Sequence, residues 1–275
     1  MGYRPAAEAH DMKLPDFLIL GPMKGGTTTL YRWLDQTPNV RMPAIKEPNF
    51  FAEDARFARG LTEYAKLFEH VGVSERTGEA SVRYADPSVS TRVARRIRAT
   101  LPDARLLFIA RDPFDRLRSH YRHEVQRGRE TRPFSEAVTT SSPYVRCSLY
   151  DRALLSYDRD ALRVFAFDAL FGADVGAWSE VLEWLSIPSA PRPAAAHNVG
   201  KGKSRFTSVA RVAFELGLAR WAKQVPSPVR ASLRPLLMRD DVRYQRLLAS
   251  SRDDLPHDAR ERIARDFGRF ASRWM

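Results

Sequence analysis

The sequence predicts an α/β fold: a single domain with a central, mostly parallel sheet flanked by helices. Two runs of residues carry that expectation. Phe17-Leu18-Ile19-Leu20 is a short apolar run closed by Gly21-Pro22, the length and stop of a buried strand. A Gly-rich turn follows it, and then Leu30, Tyr31, Trp33 and Leu34 recur on one helical face. Farther along, Leu106-Leu107-Phe108-Ile109-Ala110 forms a second buried strand with Arg111-Asp112-Pro113 at its carboxyl end. Strand, glycine turn and helix open a doubly wound sheet.

The remaining elements follow in order. Residues 1–14 read as a flexible leader, and residues 15–275 as the domain. Residues 35–60 are loop-like, with Pro38, Pro43 and Pro48. A helix is expected over 61–70, and an amphipathic one with an Arg-rich outer face from Ser90 to Thr100, broken by Pro102-Asp103. The helix after the second strand runs from about Phe114 to Gln126, with Arg116 and Arg118 assigned to a solvated face. A third strand is expected at Leu162–Phe167 and a helix at Trp178–Leu185. Residues 187–206 form a Pro-, Ala- and Gly-rich loop bearing Lys201, Lys203 and Arg205. From about Val209 the chain reads as mostly helical, interrupted around Pro226-Ser227-Pro228. No internal repeat or domain linker is visible.

Charge narrows the partners. The 275 residues include 45 Lys and Arg against 33 Asp and Glu, a formal net charge of +12. Such a surplus attracts anions: nucleic acid, a membrane surface or a phosphorylated small molecule. The basic residues are spread along the chain and form no tail. The single cysteine, Cys147, excludes an intrachain disulfide and a cysteine metal cluster. The opening MGYRPAAEAHDMKLPD has no apolar core of a signal peptide, and no stretch approaches the ~18 consecutive apolar residues of a membrane span. The expectation is a soluble cytoplasmic protein without stable membrane insertion.

The turn Gly21-Pro22-Met23-Lys24-Gly25-Gly26-Thr27-Thr28-Thr29 combines the parts of an anion cradle. Glycines let backbone N–H groups approach a ligand, and the helix N-terminus and Lys24 add positive charge. Thr27 and Thr28 add hydroxyl donors. Read alone, the turn is equally a Gly-rich helix entry without a ligand, with Thr28 or Thr29 as a cap. It is not a Walker A loop, because Lys24 precedes both glycines. At the second strand's carboxyl end stands Arg111, with Ser119 eight residues on. Carboxyl ends of parallel strands share one edge, so these residues are expected to meet the Lys24 loop. The alternative is an Arg111 that pairs with Asp112 or Asp115 and only ties the loop.

Together, KGGTTTL after FLILGP and LLFIARDPFDRLRSHY resemble the sulfotransferases that use 3′-phosphoadenosine-5′-phosphosulfate (PAPS), above all the heparan-sulfate N- and 3-O-sulfotransferase-type domains and their bacterial relatives. Further similarity lies in Lys46-Glu47-Pro48-Asn49-Phe50-Phe51, in Gly78-Glu79-Ala80-Ser81, in Ser148-Leu149-Tyr150 with Leu154, in the basic NVGKGKSR segment at 198–205 and in the final RDFGRFASRW. Ala80 stands where the 3-O enzymes carry Lys. The resemblance spans roughly 15–275 and implies a P-loop-like phosphosulfate-binding loop after the first strand.

It further implies that Lys24, Gly25, Gly26, Thr27 and Thr28 bind the 5′-phosphosulfate and that Lys24 neutralises the leaving phosphate. Arg111 and Ser119 would hold the 3′-phosphate, and Lys201, Gly202, Lys203 and Arg205 would close over the nucleotide. No metal is required in such a scheme. Glu47 is the first choice for the general base and Glu79 the second, with His120 left open beside them although a lone helical histidine is more often packed or exposed. Glu79, Phe50, Tyr84, His120 and Tyr150 are candidate contacts to the acceptor, a small molecule or glycan; Tyr144 is a further aromatic of that kind. Nucleic acid is not among the expected partners. Two other functions compete: a P-loop-type nucleotide kinase, which would need a metal and ATP, and a non-catalytic basic binding protein, which would show steep salt dependence.

Overall fold

The computed structural model describes residues 12–194 and 253–275. Most of the expected leader and the segment with Lys201, Gly202, Lys203 and Arg205 lie outside the described residues.

Five parallel strands form the centre in the order β2-β3-β1-β4-β5. They are β1 (Phe17–Ile19), β2 (Val40–Arg41), β3 (Arg76–Ala80), β4 (Arg105–Ala110) and β5 (Leu162–Ala166). Phe17, Leu18 and Ile19 lie opposite Gly78, Glu79 and Ala80 on one side. On the other side they face Arg105, Leu106 and Leu107.

The unbroken apolar runs of β1 and β4 follow from burial on both faces of a parallel sheet. Leu18, Leu106, Phe108 and Ala110 point into one core layer, and Phe17, Ile19, Leu107 and Ile109 into the other. Helices α1 (Thr27–Asp35) and α10 (Gly176–Trp184) cover the second layer. The first is covered by α3 (Gly60–Ala65), α4 (Ser90–Thr100), α8 (Tyr150–Leu154) and the last helix, α11 (His257–Trp274). A third cluster joins α5 (Pro113–Gln126), α6 (Phe134–Ala137), α7 (Pro143–Arg146) and α11. The turns α2 (Asp54–Phe57) and α9 (Phe167–Phe171) complete the described helices apart from short 3₁₀ segments.

Several expectations change in the structure. The segment read as loop over 35–60 contains β2 and α2. The helix expected over 61–70 ends at Ala65 and continues as a 3₁₀ turn over Lys66–Phe68. Strand β3 was not anticipated, because RTGEA has the composition of a loop. Arg116 is fully buried instead of lying on a solvated face, whereas Arg118 keeps partial exposure and a 3.5 Å pair with Asp115.

Strand order decides where a ligand can sit. From β1 the chain moves to one side for β2 and β3, then crosses to the other side for β4 and β5. The reversal point lies between β1 and β4, and in open parallel sheets ligands bind beyond the carboxyl ends of the strands at such a point. The Gly21–Gly26 turn leaves β1 at that place, and Arg111 leaves β4.

Candidate active site

The glycines of the first turn are required by contact as well as by conformation. Gly26 has φ 90°, and a Cβ there would lie 2.4 Å from the Phe171 ring. A Cβ on Gly25 would lie 2.5 Å from the Pro22 ring. Gly26 is the N-cap of α1 with no side-chain cap, so Thr28 and Thr29 lie inside the first turn and do not cap it. The amide groups of a first helical turn have no acceptor within the helix and form an anion-binding end.

Lys24 adopts a left-handed backbone, φ 66°. Among the described non-glycine residues the others at positive φ are Asn39, Glu47, Asn49 and Ser186. Three of these five lie in the Lys24 turn or the Glu47 segment. Each such residue costs of order 1 kcal/mol or more, and strain of this kind gathers at functional sites.

Arg111 meets the turn directly. Its Nη1 donates to the Lys24 carbonyl at 3.1 Å, and its guanidinium lies over the Phe167 ring, 4.7 Å from the centroid. Asp112 is committed elsewhere: its carboxylate accepts from the amides of Phe114 and Asp115 and caps α5. Arg111 is thus tied to the main chain of the Lys24 turn. Ser119 lies two turns along α5, half-buried.

Beneath these residues sits Arg116. It donates to Ser148 Oγ at 3.0 Å, to the Met23 carbonyl at 3.3 Å and to the Tyr144 carbonyl, and its Nη1 is 3.3 Å from His120 Nδ1. Burial presses its pKa down, and Arg111 adds to that. His120 is buried as well. Burial, then the charge of Arg116, with His123 and Lys24 adding to it, pushes its pKa down to about 3, so it is neutral near pH 7. A base so weakly basic is a poor acceptor for a hydroxyl proton.

The Glu47 segment crosses the end of β3. The Glu47 amide donates to the Ala80 carbonyl at 3.0 Å, and Lys46 Nζ donates to Glu47 Oε1 at 2.8 Å. The Glu47 side chain remains 41% exposed, which leaves it reachable by a ligand. Glu79 is the opposite case. It is fully buried, with Oε1 accepting from Tyr64 and Tyr84 and Oε2 from Ser81. Burial raises its pKa to about 7 against the lowering effect of those hydroxyls and of Lys46.

The candidate acceptor contacts lie mostly in the core. Phe50 stacks on Tyr64 at 4.3 Å, Tyr84 is wholly buried, and Tyr144 packs on His120. Tyr150 is buried too and donates its hydroxyl to the Arg111 carbonyl at 3.0 Å, which fixes the end of β4. Their apolar bodies fill space between layers, as large aromatics do. Sequence reading missed Arg116 and Phe167. No spacing rule marks either one; Phe167 is recognisable only as an aromatic at the carboxyl end of an expected strand.

A central parallel sheet flanked by helices, with a glycine turn and an arginine at its reversal point, defines an α/β protein of the doubly wound kind. The particular family follows from comparison: the Sulfotransferase domain family matches residues 14–160, and the chain belongs to it. The chain is 34% identical over 116 residues to the membrane-associated sulfotransferase kil1 of Dictyostelium discoideum, covering 41% of this chain and 24% of that protein. It is 36% identical over 109 residues to human (Homo sapiens) heparan sulfate glucosamine 3-O-sulfotransferase 6, covering 40% and 30%. The matched segments thus span less than a third of these relatives. A sulfotransferase from Alicyclobacillus acidocaldarius has a similar structure, with TM-score 0.58 and 26% identity over 85% of this chain and 99% of that one. No helix among the described residues is long and apolar enough to cross a membrane.

Proposed function

We propose that the protein transfers a sulfuryl group from PAPS to a hydroxyl of a small-molecule or glycan acceptor, with an amine as the lesser alternative. The observation that carries this reading is the hydrogen bond from Arg111 to the Lys24 carbonyl, which sets the end of β4 against the turn after β1. A donor with phosphates at both its 5′ and 3′ positions has the matching charge distribution.

In the proposed reaction the acceptor oxygen attacks sulfur in line. The bond between sulfur and the bridging oxygen breaks, and 3′-phosphoadenosine-5′-phosphate (PAP) leaves with that electron pair. Lys24 and the amides of Gly26, Thr27 and Thr28 neutralise the charge that grows on the leaving phosphate, while Gly25, whose amide donates to the Pro22 carbonyl, lets the backbone approach it. Arg111 and Ser119 take the 3′-phosphate, for which a guanidinium offers two parallel donors. Lys201, Gly202, Lys203 and Arg205 are proposed to cover the nucleotide. Glu47 takes the acceptor proton, since its carboxylate is accessible while Glu79 is sealed and His120 is too weak a base.

Titration calorimetry with PAP, AMP and ATP tests the donor. Tight binding of PAP alone, lost in Lys24→Ala and Arg111→Ala, is the expected result. Preference for ATP with magnesium would return the protein to the kinase alternative, and equal, salt-sensitive binding of all three to the basic-surface one.

A further inference from the structure

Buried Glu79 lies within a set of contacts that all lead to the Glu47 segment. Tyr84 donates to Glu79 Oε1 at 2.6 Å and accepts from the Phe51 amide at 3.3 Å. Ser81 donates to Glu79 Oε2 at 2.7 Å and accepts from the Asn49 amide at 3.0 Å. A hydroxyl has one proton. Each of these two gives its proton to Glu79 and turns a lone pair to a backbone amide. The carboxylate therefore orients both acceptors. Tyr64 supplies a third donor at 2.9 Å, and its ring stacks on Phe50, between the two clamped amides.

The clamped backbone is the strained one. Glu47 and Asn49 have φ 62° and 53°. Asn49 Nδ2 closes the turn on the Glu47 carbonyl at 3.1 Å, and the Glu47 amide is held by Ala80, the neighbour of Glu79. A left-handed non-glycine pair persists only where its surroundings over-determine it. Here the restraint comes from the end of β3.

We propose that Glu79 is a positioning residue: through Ser81 and Tyr84 it holds residues 47–51 in the left-handed conformation that presents the Glu47 carboxylate. This rests on the reading of Glu47 as the base, and it gives Glu79 a place beside the reaction without contact to the acceptor.

Hydrogen exchange and turnover test it together. Glu79→Gln, Ser81→Ala and Tyr84→Phe are compared in the full-length protein, with PAP release from PAPS to water as the assay. Exchange at the Asn49 and Phe51 amides should quicken about tenfold or more, while β4 and α5 amides keep their rates. PAP affinity by calorimetry should stay within about twofold, as expected for a site whose donor contacts are intact. PAP release should fall in Ser81→Ala, and the Glu47→Gln/Ser81→Ala double variant should be no slower than Glu47→Gln alone, because both act through one carboxylate. Unchanged exchange in Ser81→Ala and Glu79→Gln, or losses that multiply in the double variant, would overturn the proposal. Should Glu47→Gln release PAP at the normal rate, the base assignment falls, and the exchange rates still decide whether Glu79 holds the segment. Ser81→Ala and Tyr84→Phe remove single hydroxyls, so the decision does not depend on Glu79→Gln folding.

Discussion

The Arg111 guanidinium reaches the carbonyl of Lys24 at 3.1 Å across 87 residues of sequence. A side chain at the end of β4 thus fixes the backbone of the turn after β1. The same guanidinium is backed by the Phe167 ring at the end of β5. Three strand ends meet at this one guanidinium.

Arg111→Lys should therefore be a severe change despite its retained charge. Lysine has no planar fork with which to hold the turn and a phosphate at once. PAP affinity should drop about tenfold or more, the scale of a lost charge-assisted bond. Calorimetry at fixed ionic strength measures it.

Arg116→Met should cost roughly 3 kcal/mol or more in urea unfolding, because it strips partners from the Met23 and Tyr144 carbonyls and from Ser148. Arg118→Ala, two residues away with an exposed partner in Asp115, should change stability by no more than about 0.5 kcal/mol. Equal effects would contradict the assignment of Arg116 to the interior.

Gly78→Ala should destabilise by about 1–3 kcal/mol through overpacking, since a Cβ there would lie 2.2 Å from the Phe17 ring that pairs with it across β1 and β3. Gly26→Ala should combine a similar clash at Phe171 with an unfavourable φ, and it should also weaken PAP binding. Thermal melts with and without PAP separate the two losses.

Glu79 gives stability a signature in pH. Its folded pKa of about 7 lies above the ordinary glutamate value of 4.5, so the folded state binds the proton more tightly. That contribution is complete below the unfolded pKa and is lost as pH rises through about 7. His120 acts oppositely: its lowered pKa gives stability that is lost as pH falls below the ordinary histidine range. Subtracting the Glu79→Gln profile from that of the unmodified protein isolates Glu79. The difference in urea midpoint should shift against the unmodified protein between pH 5 and pH 8, within an order of magnitude set by roughly 1.4 kcal/mol per unit of pKa.

Strands β1 and β4 were legible because burial on both faces leaves an unbroken apolar run. Lys24 and Arg111 were legible because a glycine turn and a strand end are local features, and parallel topology brings such ends together. Strand β3 was hidden by its own chemistry. RTGEA reads as polar, and Glu79 becomes tolerable in the sheet only through hydroxyls from Tyr64, Tyr84 and Ser81. Tyr64 belongs to another element, so no local pattern announces it. Arg116 was misjudged for a related reason: helical periodicity marks a charged residue as outward unless carbonyl partners from other elements are known.

One guanidinium, that of Arg116, grips the turn at Met23 from a helix that also bears Ser119. The turn after β1 and the helix after β4 are therefore joined from inside by a single side chain. Under the proposed chemistry the protein would gauge its donor like a caliper, favouring nucleotides whose charges sit a set span apart over those with the same charge bunched at one end.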